Sequence, residues 1–237
     1  MRESRSSVSY AKAKVTQSYS AMTNEVDTSP DNHFFDLERV HEVFKASWVG
    51  EDDVNLEYYL EGFKELMKFC ELMGSLFTFV SSEIGDKVKI LEDLRAGEKK
   101  EHYTTLFTMT NYEISENLLK RSKYVSGSRT LLRLHWGSDF IRTFLKKLQD
   151  LNPDDSTSSS GHDAYAETLA KHHGFFIRQG AYLAMYTLPT QKVLLERVCK
   201  HKADSALSAL PAMLEVTNMV YNRVQAHYES KDLLNLS

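Results

Sequence analysis

A chain of 237 residues, 42% of them hydrophobic, has the length and apolar content for one domain around a sizeable core. Its formal net charge of −4 excludes a nucleic-acid binder that works through bulk positive charge, so any cationic site has to be local. Two cysteines, Cys70 and Cys199, make neither a disulfide framework nor a metal-ligand spacing, and no run approaches the roughly 20 apolar residues of a membrane span.

The first 32 residues are rich in Ser, Thr and Lys, lack an apolar stretch, and read as a disordered tail rather than a secretory signal. Residues 33–237 read as one domain without an internal repeat. Leu37, Val40, Phe44 and Trp48 step by three and four, which predicts a first helix. The same stepping runs from Leu56 to Leu91, with a break expected near Gly74. Tyr103, Phe107, Thr110, Ile114 and Leu118 mark a third helix, and Leu132, Trp136, Phe140, Phe144 and Leu148 a fourth. The polar "DLNPDDSTSSSGHD" that follows reads as a long exposed loop. A helix is expected from about Asp163 to Tyr186, a shorter one after Pro189, and a last one from about Ala203 to Tyr228. The class is all-α, with seven or eight helices. Apolar positions on several helix faces fit either a tightly packed two-layer bundle or layers that enclose a space for something greasy.

Charged residues inside these apolar runs are the candidate site. Glu83 and Lys87 stand four apart, the spacing of an ordinary exposed helical ion pair. Arg129 and Arg133, in "GSRTLLRLHW", also stand four apart, so two like charges share one helix face. Two stacked guanidiniums form a clamp for a phosphate or carboxylate; pairing with Asp139 or Glu116 would be a structural use of the same residues. His172 and His173 precede Phe175 and Phe176, and adjacent helical histidines diverge by about 100°, which works against a shared metal ion. No Ser-His-Asp or Cys-His order, H-E-x-x-H motif or glycine-rich phosphate loop is present, so no enzyme chemistry is expected.

Taken in order, "LMGSLFTFVSSEIGDKVKILEDLRAG", "EHYTTL", "SGSRTLLRLHW", "HHGFFIRQGAYLAMYTLPTQKVLLE" and "VYNRVQAHYESKDLLNL" resemble the glycolipid transfer protein family, and within it the ceramide-1-phosphate transfer branch. The resemblance spans about Phe34 to Ser237. It implies a two-layer helical sandwich, the glycolipid transfer protein fold, with lipid chains in a tunnel between the layers and the headgroup at the surface. It implies that Lys87, Arg129 and Arg133 hold the phosphate, that His173 hydrogen-bonds the ceramide amide carbonyl, and that Glu83 accepts from the amide N–H and a hydroxyl. Glycolipid-binding members carry asparagine at the Lys87 position and a sugar-stacking tryptophan at the Arg129 position, so the residues here favour phosphate over sugar.

Two positions depart from the pattern. Glu83 replaces an aspartate, with Asp86 as a second candidate, and Phe175 replaces a membrane-facing tryptophan. Arg121 or Lys123 stands near the position of a further phosphate contact. The implied function is non-enzymatic transfer of ceramide-1-phosphate between membranes by a cytoplasmic monomer. It would touch membranes peripherally and transiently, with Phe175, Phe176 and Trp48 as candidate contacts, and use no cofactor, metal or nucleic acid. A sphingolipid sensor or scaffold that binds but transfers poorly is the alternative.

Overall fold

Helix formation begins where a polar side chain can cap the first free N–H groups. A computed structural model describes residues 33–236; the tail expected over residues 1–32 lies outside the described residues. Helix α1 (Leu37–Ala46) is capped by Asp36, whose carboxylate accepts from the Glu38 and Arg39 amides at 3.0 and 3.2 Å. It buries Leu37, Val40, Val43 and Phe44. It stops before Trp48, contrary to the expected spacing, because Trp48–Val49 (β1) turns back through Gly50, at φ +57°, to pair antiparallel with Asp53–Val54 (β2). Trp48 lies half-buried beneath the Arg223 guanidinium, 5.3 Å from its ring centre.

Helix α2 (Leu56–Met73) starts on Asn55 and ends at Gly74, whose φ of +140° marks the break predicted there. Gly62 lets α1 and α2 approach closely, since a Cβ would meet the Phe44 ring at 2.7 Å. Helix α3 (Thr78–Ala96) follows after a 3-10 turn and buries Ser81, Ile84, Val88 and Leu91. Helix α4 (Leu106–Ser115) is shorter than its stripe, with Tyr103 and Leu118 outside its ends, because the Thr105–Thr108 capping box sets its start.

Helix α5 (Gly127–Gln149) packs against α3, α4 and two later helices. Its first turn closes on the fully buried carboxylate of Glu113 from α4. Gly127 N and Ser128 N donate to it at 2.6 and 3.0 Å, Ser126 Oγ at 2.6 Å and Tyr124 Oη at 3.0 Å. A negative group is favoured at this end of a helix, where free N–H groups and the helix dipole both point.

The expected loop and the following long helix need correction. Helix α6 (Ser158–Glu167) begins inside the polar run and ends before His172, and α7 (Phe175–Met185) starts after a 3-10 turn at Ala170–His172. Thr157 donates to the Pro189 carbonyl at 2.7 Å, Ser158 to the Met185 carbonyl at 2.9 Å, and a Cβ on Gly161 would meet Leu188 at 2.8 Å. These long-range contacts order a segment whose local composition favours a loop. Helices α8 (Gln191–Cys199) and α9 (Ala203–Ser230) complete the all-α sandwich. From Phe34 onward the chain forms one compact unit. Cys70 and Cys199 are free and buried, and burial pushes both thiols up to about 12, which leaves them inert.

α5 and α9 are joined by His135, which is fully buried, bonds Gln225 at 2.7 Å and stacks on Tyr221. Burial lowers its pKa from 6.5 to about 4, so the folded state keeps it neutral where the unfolded chain would protonate it.

Two outcomes follow for stability. Glu113→Gln, which turns an NH₂ towards two buried donors, should lower the unfolding free energy by about 3 kcal/mol in urea titrations. For His135 the unfolded state binds the extra proton, so stability should be level above pH 6.5 and fall as pH drops towards 4. The drop from this group is about 3 kcal/mol, and His135→Gln should remove close to one proton from the measured pH slope.

Candidate functional site

The apolar stripes of α3 and α5 do not meet completely. Between them and the α6–α7 segment lies a cavity of about 750 Å³. Phe77, Ile84, Leu134, Phe140, Ile141 and Met185 supply its buried apolar wall. Leu76, Phe79, Ile177 and Leu183 line it and are exposed as well, so the space reaches the surface. Gly137 and Gly180 leave room in the wall, since a Cβ on either would meet nothing within 4 Å.

Four of the predicted polar residues face this one space: Glu83 and Lys87 from α3, Arg133 from α5, and His173 from the segment before α7. Glu83 and Lys87 form an ion pair at 2.5 Å, with the Glu83 side chain 65% exposed and that of Lys87 18% exposed. Arg133 Nη1 donates to the Arg129 carbonyl at 2.9 Å, which fastens one edge of its guanidinium along the helix. Asp139 does not pair with it; its carboxylate binds Arg142 at 2.6 Å. Among the described residues neither Arg129 nor Arg133 has a carboxylate partner.

Arg129 is set apart from the other four. It is half-buried one turn towards the start of α5, does not line the cavity, and its Nε is buried without a hydrogen-bond partner. Phe175 and Phe176 also lie off the wall, at the first turn of α7, where they are 60% and 87% exposed. Exposed rings of this size, beside Ile177 and Leu183, make an apolar surface next to the opening. Asp86 is exposed and, unlike Glu83, absent from the wall.

His173 bonds Tyr165 through Nδ1 at 2.8 Å, and burial lowers its pKa below the usual histidine value, opposed by the charge of Glu83. Sequence reading missed Tyr165, His172 and Trp136 as parts of the site. All three line the cavity, and His172 stacks on Trp136 with ring centres 3.8 Å apart. Trp136 was visible in the apolar stripe of its helix, but a stripe does not distinguish a cavity wall from solid core. Among the described residues no group of His, Cys, Asp and Glu is arranged to hold a metal ion, and no helix is long and apolar enough to cross a membrane.

Residues 54–200 match the glycolipid transfer protein family model. The ceramide-1-phosphate transfer protein of Bos taurus is 35% identical over 206 residues, 85% of this chain and 96% of that protein. The mouse ceramide-1-phosphate transfer protein, crystallised in its apo form, superposes with a TM-score of 0.81 at 35% identity, over 86% of this chain and all of that one. The human ceramide-1-phosphate transfer protein in complex with 12:0 ceramide-1-phosphate gives 0.78 at 33% identity over the same shares.

The open space at Gly180 permits a direct test of the cavity. Gly180→Leu should fit without a clash, raise helix stability by close to 1 kcal/mol and fill part of the space. Thermal unfolding should move up while uptake of a fluorescent apolar probe falls.

Proposed function

The chain belongs to the glycolipid transfer protein family, and on that premise we propose that it carries ceramide-1-phosphate between membranes, binding and releasing the lipid without making or breaking a bond. The observation that carries this reading is the convergence of Glu83, Lys87, Arg133 and His173 on one apolar cavity that opens at the surface.

Each part of such a lipid has a chemical counterpart. The chains leave a bilayer for the apolar wall, which must replace about 0.8 kcal/mol per CH₂. The phosphate meets Lys87 and Arg133, and Arg129, one turn away with its Nε unbonded, supplies the second guanidinium. An anion between two arginines offsets their mutual repulsion, which a neutral sugar would not do. His173 offers a donor to the amide carbonyl, and Glu83 an acceptor to the amide N–H. Phe175 and Phe176 enter the acyl region of a membrane while the lipid moves, a peripheral contact that needs no spanning helix.

The Glu83–Lys87 ion pair favours a second reading, a sphingolipid sensor or scaffold that binds but transfers slowly, because phosphate must compete with a carboxylate for the ammonium. Vesicle-to-vesicle transfer of fluorescent ceramide-1-phosphate at low protein concentration separates the two. The carrier should move the lipid catalytically, and Arg133→Leu should reduce transfer at least tenfold with helical content unchanged. Normal transfer by that variant would refute the assigned pocket; tight binding with no transfer by the unaltered protein would select the sensor.

A further inference from the structure

His173 is useful to a ligand carbonyl only if its cavity-facing nitrogen carries the proton, and a neutral imidazole has one proton for two nitrogens. The residue that decides which nitrogen holds it is Tyr165. This tyrosine is buried, lines the same cavity, and is held by edge contacts to the Phe140 and Tyr182 rings, with centres at 6.3 and 5.3 Å. Its hydroxyl lies 2.8 Å from His173 Nδ1 and has no other hydrogen-bond partner among the described residues.

Two arrangements are possible. If Nδ1 carried the proton and donated to the tyrosine oxygen, the phenolic hydrogen would have no acceptor among the described residues, and Nε2 would present a lone pair that repels a carbonyl. If the hydroxyl donates to Nδ1, the phenol is satisfied and the imidazole proton sits on Nε2. Burial supports the second arrangement from both sides. It raises the Tyr165 pKa to about 12, so the hydroxyl keeps its hydrogen, and lowers that of His173, so the ring stays neutral and able to accept.

We propose that Tyr165 is a positioning residue for lipid recognition: its hydroxyl donates to His173 Nδ1, fixes the Nε2–H tautomer, and so presents one N–H donor to the amide carbonyl of the bound lipid. This rests on the carrier reading for the role of His173, but the tautomer itself does not. The same contact makes the site selective for an acceptor at that point of the ligand, since nothing on the ring then accepts from a donor.

The test begins without lipid. Nitrogen-15 spectra of the imidazole at pH 7 should show His173 with Nδ1 unprotonated and Nε2 protonated, and Tyr165→Phe should abolish this fixed pattern while leaving the melting temperature within a few degrees. In vesicle transfer of ceramide-1-phosphate, Tyr165→Phe should cost three- to tenfold, and in a His173→Ala background the same substitution should cost less than twofold, because the tyrosine acts through the histidine. A proton on Nδ1 in the unaltered protein overturns the proposal. So does an equal loss from Tyr165→Phe in the two backgrounds, which would mark the tyrosine as packing only. If the unaltered protein transfers no ceramide-1-phosphate, the carrier reading fails, while the spectra still decide the tautomer.

Discussion

The structure depends most on a carboxylate with no contact to solvent. Glu113 holds the first turn of α5 by accepting from two backbone amides, a serine and a tyrosine of residues 124–128, and it accepts from the Tyr103 hydroxyl as well. A buried charge without such partners would be expensive, so the arrangement either forms whole or fails. α5 carries Arg129 and Arg133, and also Leu134, Gly137, Phe140 and Ile141 of the cavity wall. The register of that helix therefore sets where the guanidiniums stand relative to the apolar space.

Within the site, one cation is neutralised and another is held in place before any ligand arrives. Lys87 is tied to Glu83, and one edge of Arg133 is tied to a backbone carbonyl. Both contacts are ones an incoming anion can replace or share, since an ammonium has three donors and a guanidinium five. The pairing limits the cost of holding cations beside apolar surface. For the proposed carrier, affinity for a phosphate would then be a difference between two electrostatic arrangements rather than the whole attraction of the cations.

The opening has the opposite character from the charged cluster of Glu83, Lys87 and Arg133. Leu76 and Phe79 precede or begin α3, Phe175, Phe176 and Ile177 begin α7, and all are exposed. Their positions explain why the long helix read from the sequence is interrupted: the extended backbone at His173 and Gly174 turns the chain so that α7 starts at the rim. An unbroken helix from Asp163 to Tyr186 would carry His173 and Phe176 on one rigid rod, whereas the break assigns one to the cavity and the other to the surface.

Helical periodicity in the sequence was enough to specify an all-α chain and the break at Gly74, while the resemblance to the family's motifs singled out Glu83, Lys87, Arg129, Arg133 and His173 as candidate site residues. Those signals are local: spacing along one helix, a glycine that permits positive φ, and residue types that bind anions. Tertiary structure alone decided that Ser158–Glu167 is helical, that Arg129 stands off the wall, that Glu113 anchors α5, and that Tyr165 meets His173. Each of those outcomes turns on contact between segments separated in the sequence or on how a side chain packs, and a stripe of apolar residues records which face turns inward without recording what it will face there.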